Sequence, residues 1–372
     1  MLTMIPVNEP LLNGNEKKYL AECIDTGWIS SEGPFVSQFE RNIAKRVTRK
    51  HGIAVSNGSV AIDVVVASLG IGKGDEVIMP AFTIISCVAA VVRAGAKPVL
   101  VDADPLTWNM DTKQIEAKIT SKTRAIMVVH IYGLPVDMEA ILELAGKYHL
   151  MIIEDAAEML GQNYKGCACG SFGDISTMSF YPNKHVTTGE GGMVLTNNDV
   201  LAEKCRSLRN LCFQAKKRFV HEELGWNFRM TNLQAALGVA QLERLEEFIS
   251  KKRLMGQRYT EILSDIKSIY LPIQKTDYAE NVYWVYGIVL KDEFPFDAEE
   301  VMKRLGEKGI GTRPFFWPMH EQPVFRKMGL FEGESYPVAE RISRRGFYIP
   351  SGLALTENQI DAVSRALHEV LV

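Results

Sequence analysis

Three stretches of this 372-residue chain carry residue types that can do chemistry together. The first is Ser179-Phe-Tyr-Pro-Asn-Lys184-His-Val-Thr-Thr-Gly189-Glu-Gly-Gly192. An apolar run ends at Phe180 and Pro182 stops it. Lys184 then follows in a loop whose glycines let backbone pass close to a ligand. A loop lysine taken alone is most often a solvated charge. Held near the right partners, it is a nucleophile and a proton carrier.

Asp155 supplies such a partner, 29 residues earlier. It closes the apolar run Leu150-Met-Ile-Ile and so falls at the carboxyl end of a buried strand, where parallel sheets present ligand sites. A carboxylate there can cap a following helix, bind a metal or pair with a cationic ring nitrogen. The nearby sequence shows no His/Asp/Glu cluster with ligand spacing, which argues against metal. The third stretch, Ser56-Asn57-Gly58-Ser59, opens a helical run over 60–69. Its free backbone N–H groups and helix dipole suit a phosphate, although Ser, Asn and Gly are also plain capping residues. Lysine, carboxylate and phosphate turn together match the needs of pyridoxal 5'-phosphate (PLP). That cofactor uses a carboxylate to keep its ring nitrogen protonated and the ring electron-withdrawing.

Two other patterns are set aside. Gly70-Ile-Gly72-Lys-Gly74 precedes a strand, where a dinucleotide loop would follow one. The seven histidines show no paired spacing, so no metal site is expected.

The elements that must position these residues alternate. Short apolar runs at 76–79, 98–101, 125–130, 150–153, 176–180 and 193–196 read as buried strands. Amphipathic segments such as 137–148 lie between them, with Met138, Ile141, Leu142 and Ala145 at helical spacing. This predicts an α/β fold with a mostly parallel sheet. A helix is predicted from 231 to about 252, capped by Thr231 or Asn232, with Leu233, Leu237, Leu242, Leu245 and Ile249 as its stripe. Beyond it a strand (283–290), a helix (298–308), an extended run (311–316) and a last helix (357–371) predict a smaller α+β domain. The expected division is 1–250 for the large cofactor-binding domain and 251–372 for the small one, with the N-terminal segment packing on the latter.

Composition agrees with an ordinary globular chain: 47% hydrophobic, 23% charged, net charge −3. That charge gives no case for nucleic acid. Cys23, Cys87, Cys167, Cys169, Cys205 and Cys212 lack a ligand or redox rhythm and read as reduced thiols. Residues 1–15 lack a secretory pattern and no apolar stretch reaches membrane-spanning length, so a cytoplasmic location is expected.

Read in order, these motifs resemble the DegT/StrS-type sugar aminotransferases, a branch of the fold-type I PLP enzymes. The likeness runs from Gly27-Trp28-Ile-Ser-Ser-Glu-Gly33 through Ser56-Asn-Gly-Ser59, Gly72-Lys-Gly-Asp-Glu-Val-Ile78, His130-Ile-Tyr-Gly133, Glu154-Asp-Ala-Ala-Glu158 and the lysine segment. It closes on Trp226-Asn-Phe-Arg-Met-Thr-Asn232 and Thr312-Arg-Pro-Phe-Phe-Trp-Pro-Met-His320. The resemblance implies that Lys184 bonds the cofactor and Asp155 pairs with its pyridine nitrogen. It implies that Phe82 stacks on the ring, Glu158 lies by the ring hydroxyl, and Gly58, Ser59 and Ser179 cradle the phosphate. Asn227 matches an asparagine that reaches the neighbouring subunit's phosphate, which implies a homodimer with shared active sites. Arg229 and Arg313 are candidate anion binders, with surface ion pairing as the alternative. Trp28 and His320 are candidate substrate contacts.

Within the family the likeness is greatest to enzymes that aminate GDP-4-keto-6-deoxymannose, with L-glutamate as donor and 2-oxoglutarate as its product. Trp28-Ile-Ser-Ser31, Glu154-Asp-Ala-Ala-Glu158 and Arg229-Met-Thr-Asn232 carry it. Those enzymes read Ser-Phe-Phe-Gly-Asn-Lys where this chain has Tyr181-Pro182, and 211–221 is also unusual. Both stretches lie near substrate in the family, so another keto nucleotide sugar or a small phosphorylated ketone is the alternative acceptor. Sugar dehydratases of this kind replace the lysine with histidine, which Lys184 argues against. A non-catalytic binding protein has no feature here in its favour.

Overall fold

The computed structural model describes residues 4–372. The first three residues of the stretch read as lacking a secretory pattern therefore lie outside the described residues. Strands β1 (His51–Val55), β2 (Glu76–Pro80), β3 (Lys97–Val101), β4 (Thr123–Val129) and β5 (Met151–Asp155) come first in the chain. A small hairpin, β6 (Asn163–Tyr164) and β7 (Cys167–Ala168), precedes β8 (Ile175–Ser179) and β9 (Gly192–Thr196). Seven of these form one sheet in the order β1-β9-β8-β5-β4-β2-β3. Strands β3, β2, β4, β5 and β8 pair in parallel, and β9 alone runs against its two neighbours. The expected mostly parallel α/β sheet is what forms.

Both faces of this sheet are covered, so its strands are apolar almost throughout. Alternation assigns each residue a face. Val77 and Met79 enter the core under the helices Gly58–Ser68 and Ile85–Arg93, while Ile78 enters the core under Pro34–Arg46 and Met138–Tyr148. The sequence reading missed β1. Gly52, a poor strand former, sits in it because a Cβ there would meet the Glu40 carbonyl oxygen at 2.6 Å.

After residue 263 a second sheet forms from β10 (Ile269–Tyr270), β11 (Tyr286–Leu290), β12 (Arg313–Pro314) and β13 (Gly346–Ile349). It is antiparallel in the order β10-β11-β13-β12. Tyr286, Ile288 and Leu290 of β11 pack with Val301, Leu305, Val363 and Leu367 from the helices Ala298–Glu307 and Glu357–Leu371. The N-terminal segment joins this half. Ile5 N–H donates to the Gly309 carbonyl at 2.8 Å, and Ser351 N–H to the Val7 carbonyl at 2.9 Å.

One expected helix is two. Asn232–Leu242 and Leu245–Leu263 are separated at Arg244, whose φ of −112° and ψ of 14° leave helical values. Thr231 is the N-cap, completing a capping box with Gln234. Asn232 instead accepts from Phe35 N–H at 2.9 Å and donates to the Trp28 carbonyl at 2.7 Å. The second helix passes between cores: Leu245 and Ile249 pack under the large sheet, Met255, Tyr259 and Leu263 under the small one.

Candidate active site

The carboxyl ends of β4, β5 and β8 and the N-terminus of the helix Gly58–Ser68 converge on a cavity of about 730 Å³. Asn57, Gly58, Ser59, Asp155, Glu158, Ser179 and Lys184 line it. Residues read as partners from separate stretches are therefore brought to one place.

The phosphate turn is built by close approach. Asn57 caps the helix by accepting from Val60 N–H at 3.0 Å. A Cβ on Gly58 would meet Ser179 Cβ at 2.8 Å, and one on Gly192 would meet the Asn57 carbonyl oxygen at 2.4 Å. Only glycine lets β8, β9 and the helix start meet here. The Ser59 and Ser86 hydroxyls lie 2.7 Å apart at the edge of this turn.

Lys184 does not behave as the solvated loop charge its type suggests. Its backbone N–H donates to the Tyr181 carbonyl at 2.9 Å, and its side chain is only 12% exposed. The amine lies 3.7 Å from Glu158 Oε1 and 3.8 Å from the centre of the Trp284 ring. Burial lowers its pKa, opposed by the charges of Glu158 and Asp155.

Asp155 is 2% exposed. Oδ1 accepts from Ala157 N–H and Thr177 Oγ1–H, each at 3.1 Å, and Oδ2 from the Cys87 thiol at 3.3 Å. Burial raises its pKa, against those hydrogen bonds and the nearby lysine. The capping alternative falls away, because turns and the β6–β7 hairpin follow Asp155 rather than a helix.

Glu158 takes Tyr132 N–H at 2.7 Å, and burial pushes its pKa up to about 7. The protonated form is therefore the one the buried site favours. Stability from this group is present below its ordinary value of 4.5 and is lost as pH rises through about 7. Glu158→Gln should accordingly flatten the fall in stability of the cofactor-free chain between about pH 5 and about pH 8. Urea unfolding at the two pH values checks this; an unchanged slope would mean that Glu158 is not protonated there.

Other expected residues fall outside the cavity of the single chain. The Phe82 ring is fully buried, with centroids 6.0 Å from Tyr132, 5.9 Å from Phe315 and 5.7 Å from Phe316. An apolar ring finds that aromatic cluster, and the next residues, Thr83 and Ile84, line the cavity instead. His320 is 2% exposed, with Nε2 3.0 Å from Glu340. Arg229 donates to Asn210 Oδ1 at 2.7 Å. Exposed Arg313 sits opposite Tyr348 across β12 and β13, and Tyr348 does line the cavity. Asn227 is exposed, bridging to Asn210, and Trp28 is half exposed.

His130, Glu154 and Cys169 converge beside β5, a grouping with metal-ligand atom types that no spacing showed. The His130 and Glu154 lone pairs are already engaged. His130 Nδ1 accepts from Val136 N–H at 3.0 Å, leaving Nε2–H to donate to Glu154 at 3.1 Å. Glu154 also accepts from Gly170 N–H at 2.6 Å and Phe172 N–H at 2.8 Å. The cluster is a clamp holding the β4 and β5 ends together.

Residues 10–368 match the DegT/DnrJ/EryC1/StrS aminotransferase family. The chain belongs to it. This family member is 42% identical over 371 residues to the GDP-perosamine synthase of Caulobacter vibrioides, covering 100% of this chain and 99% of that one. It is 40% identical over 365 residues to the GDP-perosamine synthase of Escherichia coli O157:H7, covering 98% of each. Among solved structures, the aminotransferase TlmJ of Streptoalloteichus hindustanus superposes with a TM-score of 0.92 at 28% identity, covering 99% of each chain. DesV of S. venezuelae gives 0.88 at 31% identity, covering 95% of this chain and 94% of that one. The protein is a PLP-dependent aminotransferase.

The residues present fit that cofactor. The cavity holds a buried amine, a buried carboxylate already carrying three donors, and a glycine-built helix start that an added Cβ would fill. Asn183 Oδ1 is also buried without a partner in its lining.

Proposed function

We propose that this aminotransferase moves the amino group of L-glutamate to a GDP-linked 4-keto-6-deoxy sugar, GDP-4-keto-6-deoxymannose, to give GDP-perosamine in the cytoplasm. The observation that carries the reading is identity of 40% and 42% over essentially the whole chain to two proteins named GDP-perosamine synthase. No helix of the described residues is long and apolar enough to cross a membrane.

In this reading Lys184 bonds the cofactor, Asp155 faces its pyridine nitrogen, Glu158 its ring hydroxyl, and Gly58, Ser59 and Ser179 its phosphate. When bound, PLP supplies an electron sink for the carbanion left when a proton leaves the donor's Cα. The protein does the rest. The Lys184 amine, partly desolvated, is a base strong enough to take that proton and an acid strong enough to return it. Asp155 offers an anion that burial has made eager for a cationic partner, because an unpaired charge there is costly. Thr177, Ala157 and Cys87 fix the carboxylate in place. Arg229 and Arg313 remain candidate anion binders, and Trp28 a candidate substrate contact, all from surfaces outside the cavity of one chain.

A screen of GDP-, UDP- and dTDP-linked 4-keto-6-deoxy sugars with glutamate, read by mass, tests the acceptor. Turnover of the GDP sugar far above the others is expected. Tyr181, which stands where the enzymes acting on GDP-4-keto-6-deoxymannose have phenylalanine, lines the cavity; preference for a UDP or dTDP sugar would replace the acceptor and leave the cofactor chemistry standing.

The active unit in this reading is a homodimer in which Asn227 serves the partner's cofactor phosphate. Its exposure, away from the cavity of its own chain, supports the idea. Inactive Lys184→Ala chains mixed with inactive Asn227→Asp chains should regain about a quarter of wild-type activity at equal random mixing in a twofold dimer. Absence of recovery despite proven subunit exchange would make Asn227 structural.

A further inference from the structure

Trp284 was invisible in the sequence and touches the most important atom in the site. It lines the cavity, is 4% exposed, and sets its ring centre 3.8 Å from Lys184 Nζ. The indole is not free to turn away. Its Nε1–H donates at 2.8 Å to the carbonyl of Asn183, the residue immediately before the lysine. Its own carbonyl accepts from Lys252 Nζ at 2.8 Å, and that buried amine also donates to the Ser351 carbonyl. Tyr132 and Tyr348 pack beside the ring, with centroids 5.8 Å and 6.3 Å away.

An ammonium is attracted to an indole face, more strongly when both are out of water. A lysine side chain left unattached would otherwise spread over many rotamers. We propose that Trp284 is the seat of the Lys184 amine whenever that amine is not bonded to cofactor, with Asn183 and Lys252 as the positioning residues that hold the indole. This rests on Lys184 being the cofactor's lysine and goes beyond it. The donor half-reaction frees the amine, both half-reactions need it as a proton carrier, and the acceptor half-reaction ends by bonding it again. Resting on Trp284, 3.7 Å from Glu158, it stays in the cavity rather than swinging out. Because Trp284 lies just before β11, the C-terminal sheet takes a direct part in the lysine's chemistry.

Competitive labelling by an amine-directed reagent, on the full-length chain stripped of cofactor, reads the seat without turnover. Relative to surface lysines, Lys184 in Trp284→Leu should label about tenfold faster than in wild type, and in Trp284→Phe, which keeps an aromatic face, within about threefold. Trp284→Met serves if the leucine variant does not fold by circular dichroism. Lys252→Met should raise labelling in the same direction by a smaller factor. In the loaded enzyme, Trp284→Leu should slow the glutamate half-reaction while the KM for glutamate changes by less than about threefold. Labelling unchanged in Trp284→Leu would overturn the proposal, as would an equal rise in the phenylalanine and leucine variants. Labelling without cofactor does not depend on which lysine the cofactor takes, so failure here is distinct from failure of the Lys184 assignment.

Discussion

Replacing Lys184 by alanine should give a folded protein that has lost the covalent protein–cofactor bond and transamination, by on the order of a thousandfold or more. The fold should survive because this amine makes no core packing. Its neighbours are a carboxylate 3.7 Å away and one aromatic face, and burial already penalises its charge. Glu158 then loses the cation beside it, so its pKa should rise further. Circular dichroism and thermal unfolding should resemble wild type, while the visible absorption of the bound cofactor changes to that of the free aldehyde. Substantial residual transamination would assign the covalent role to another lysine.

Asp155→Asn should retain PLP and slow turnover on the order of a hundredfold or more, as expected when a preorganised charge is removed from a buried site. The isosteric amide can keep the Ala157 and Thr177 hydrogen bonds through its oxygen, so the end of β5 should hold its shape. It cannot balance a protonated ring nitrogen. Its NH2 group would also face the Cys87 thiol, which now donates to Oδ2. The check is the single-turnover glutamate half-reaction beside cofactor affinity. A near-normal half-reaction would return Asp155 to a structural role.

What the sequence made legible follows physical locality. Asp155 and Ser179 could be placed at strand ends because strands buried on both faces read as apolar runs, and their ends mark the ligand side of the sheet. The turn at Asn57 and Gly58 was legible because a cap and a helix start are local patterns. Trp284 was not legible. It stands 100 residues after Lys184 and reaches it only through the second sheet, so no spacing links the two. Cys87 on Asp155 is the same kind of long-range contact.

Phe82 shows a different limit: resemblance alone singled it out, and its burial among Tyr132, Phe315 and Phe316 is a long-range contact that no spacing shows. The break at Arg244 escaped because apolar spacing continues across it, and Val239, Leu245 and Ile249 on its two sides pack in the same core. Tertiary choice, not local pattern, decided each of these.

The account turns on one covalent bond. Borohydride reduction of the holoenzyme, followed by proteolysis and mass mapping, should place the reduced pyridoxyl group on the peptide containing Lys184 and leave other lysines unmodified. The same reduction after glutamate has converted the cofactor to its amine form should trap little or none. A pyridoxyl label on any other lysine, or trapping indifferent to glutamate, would contradict it.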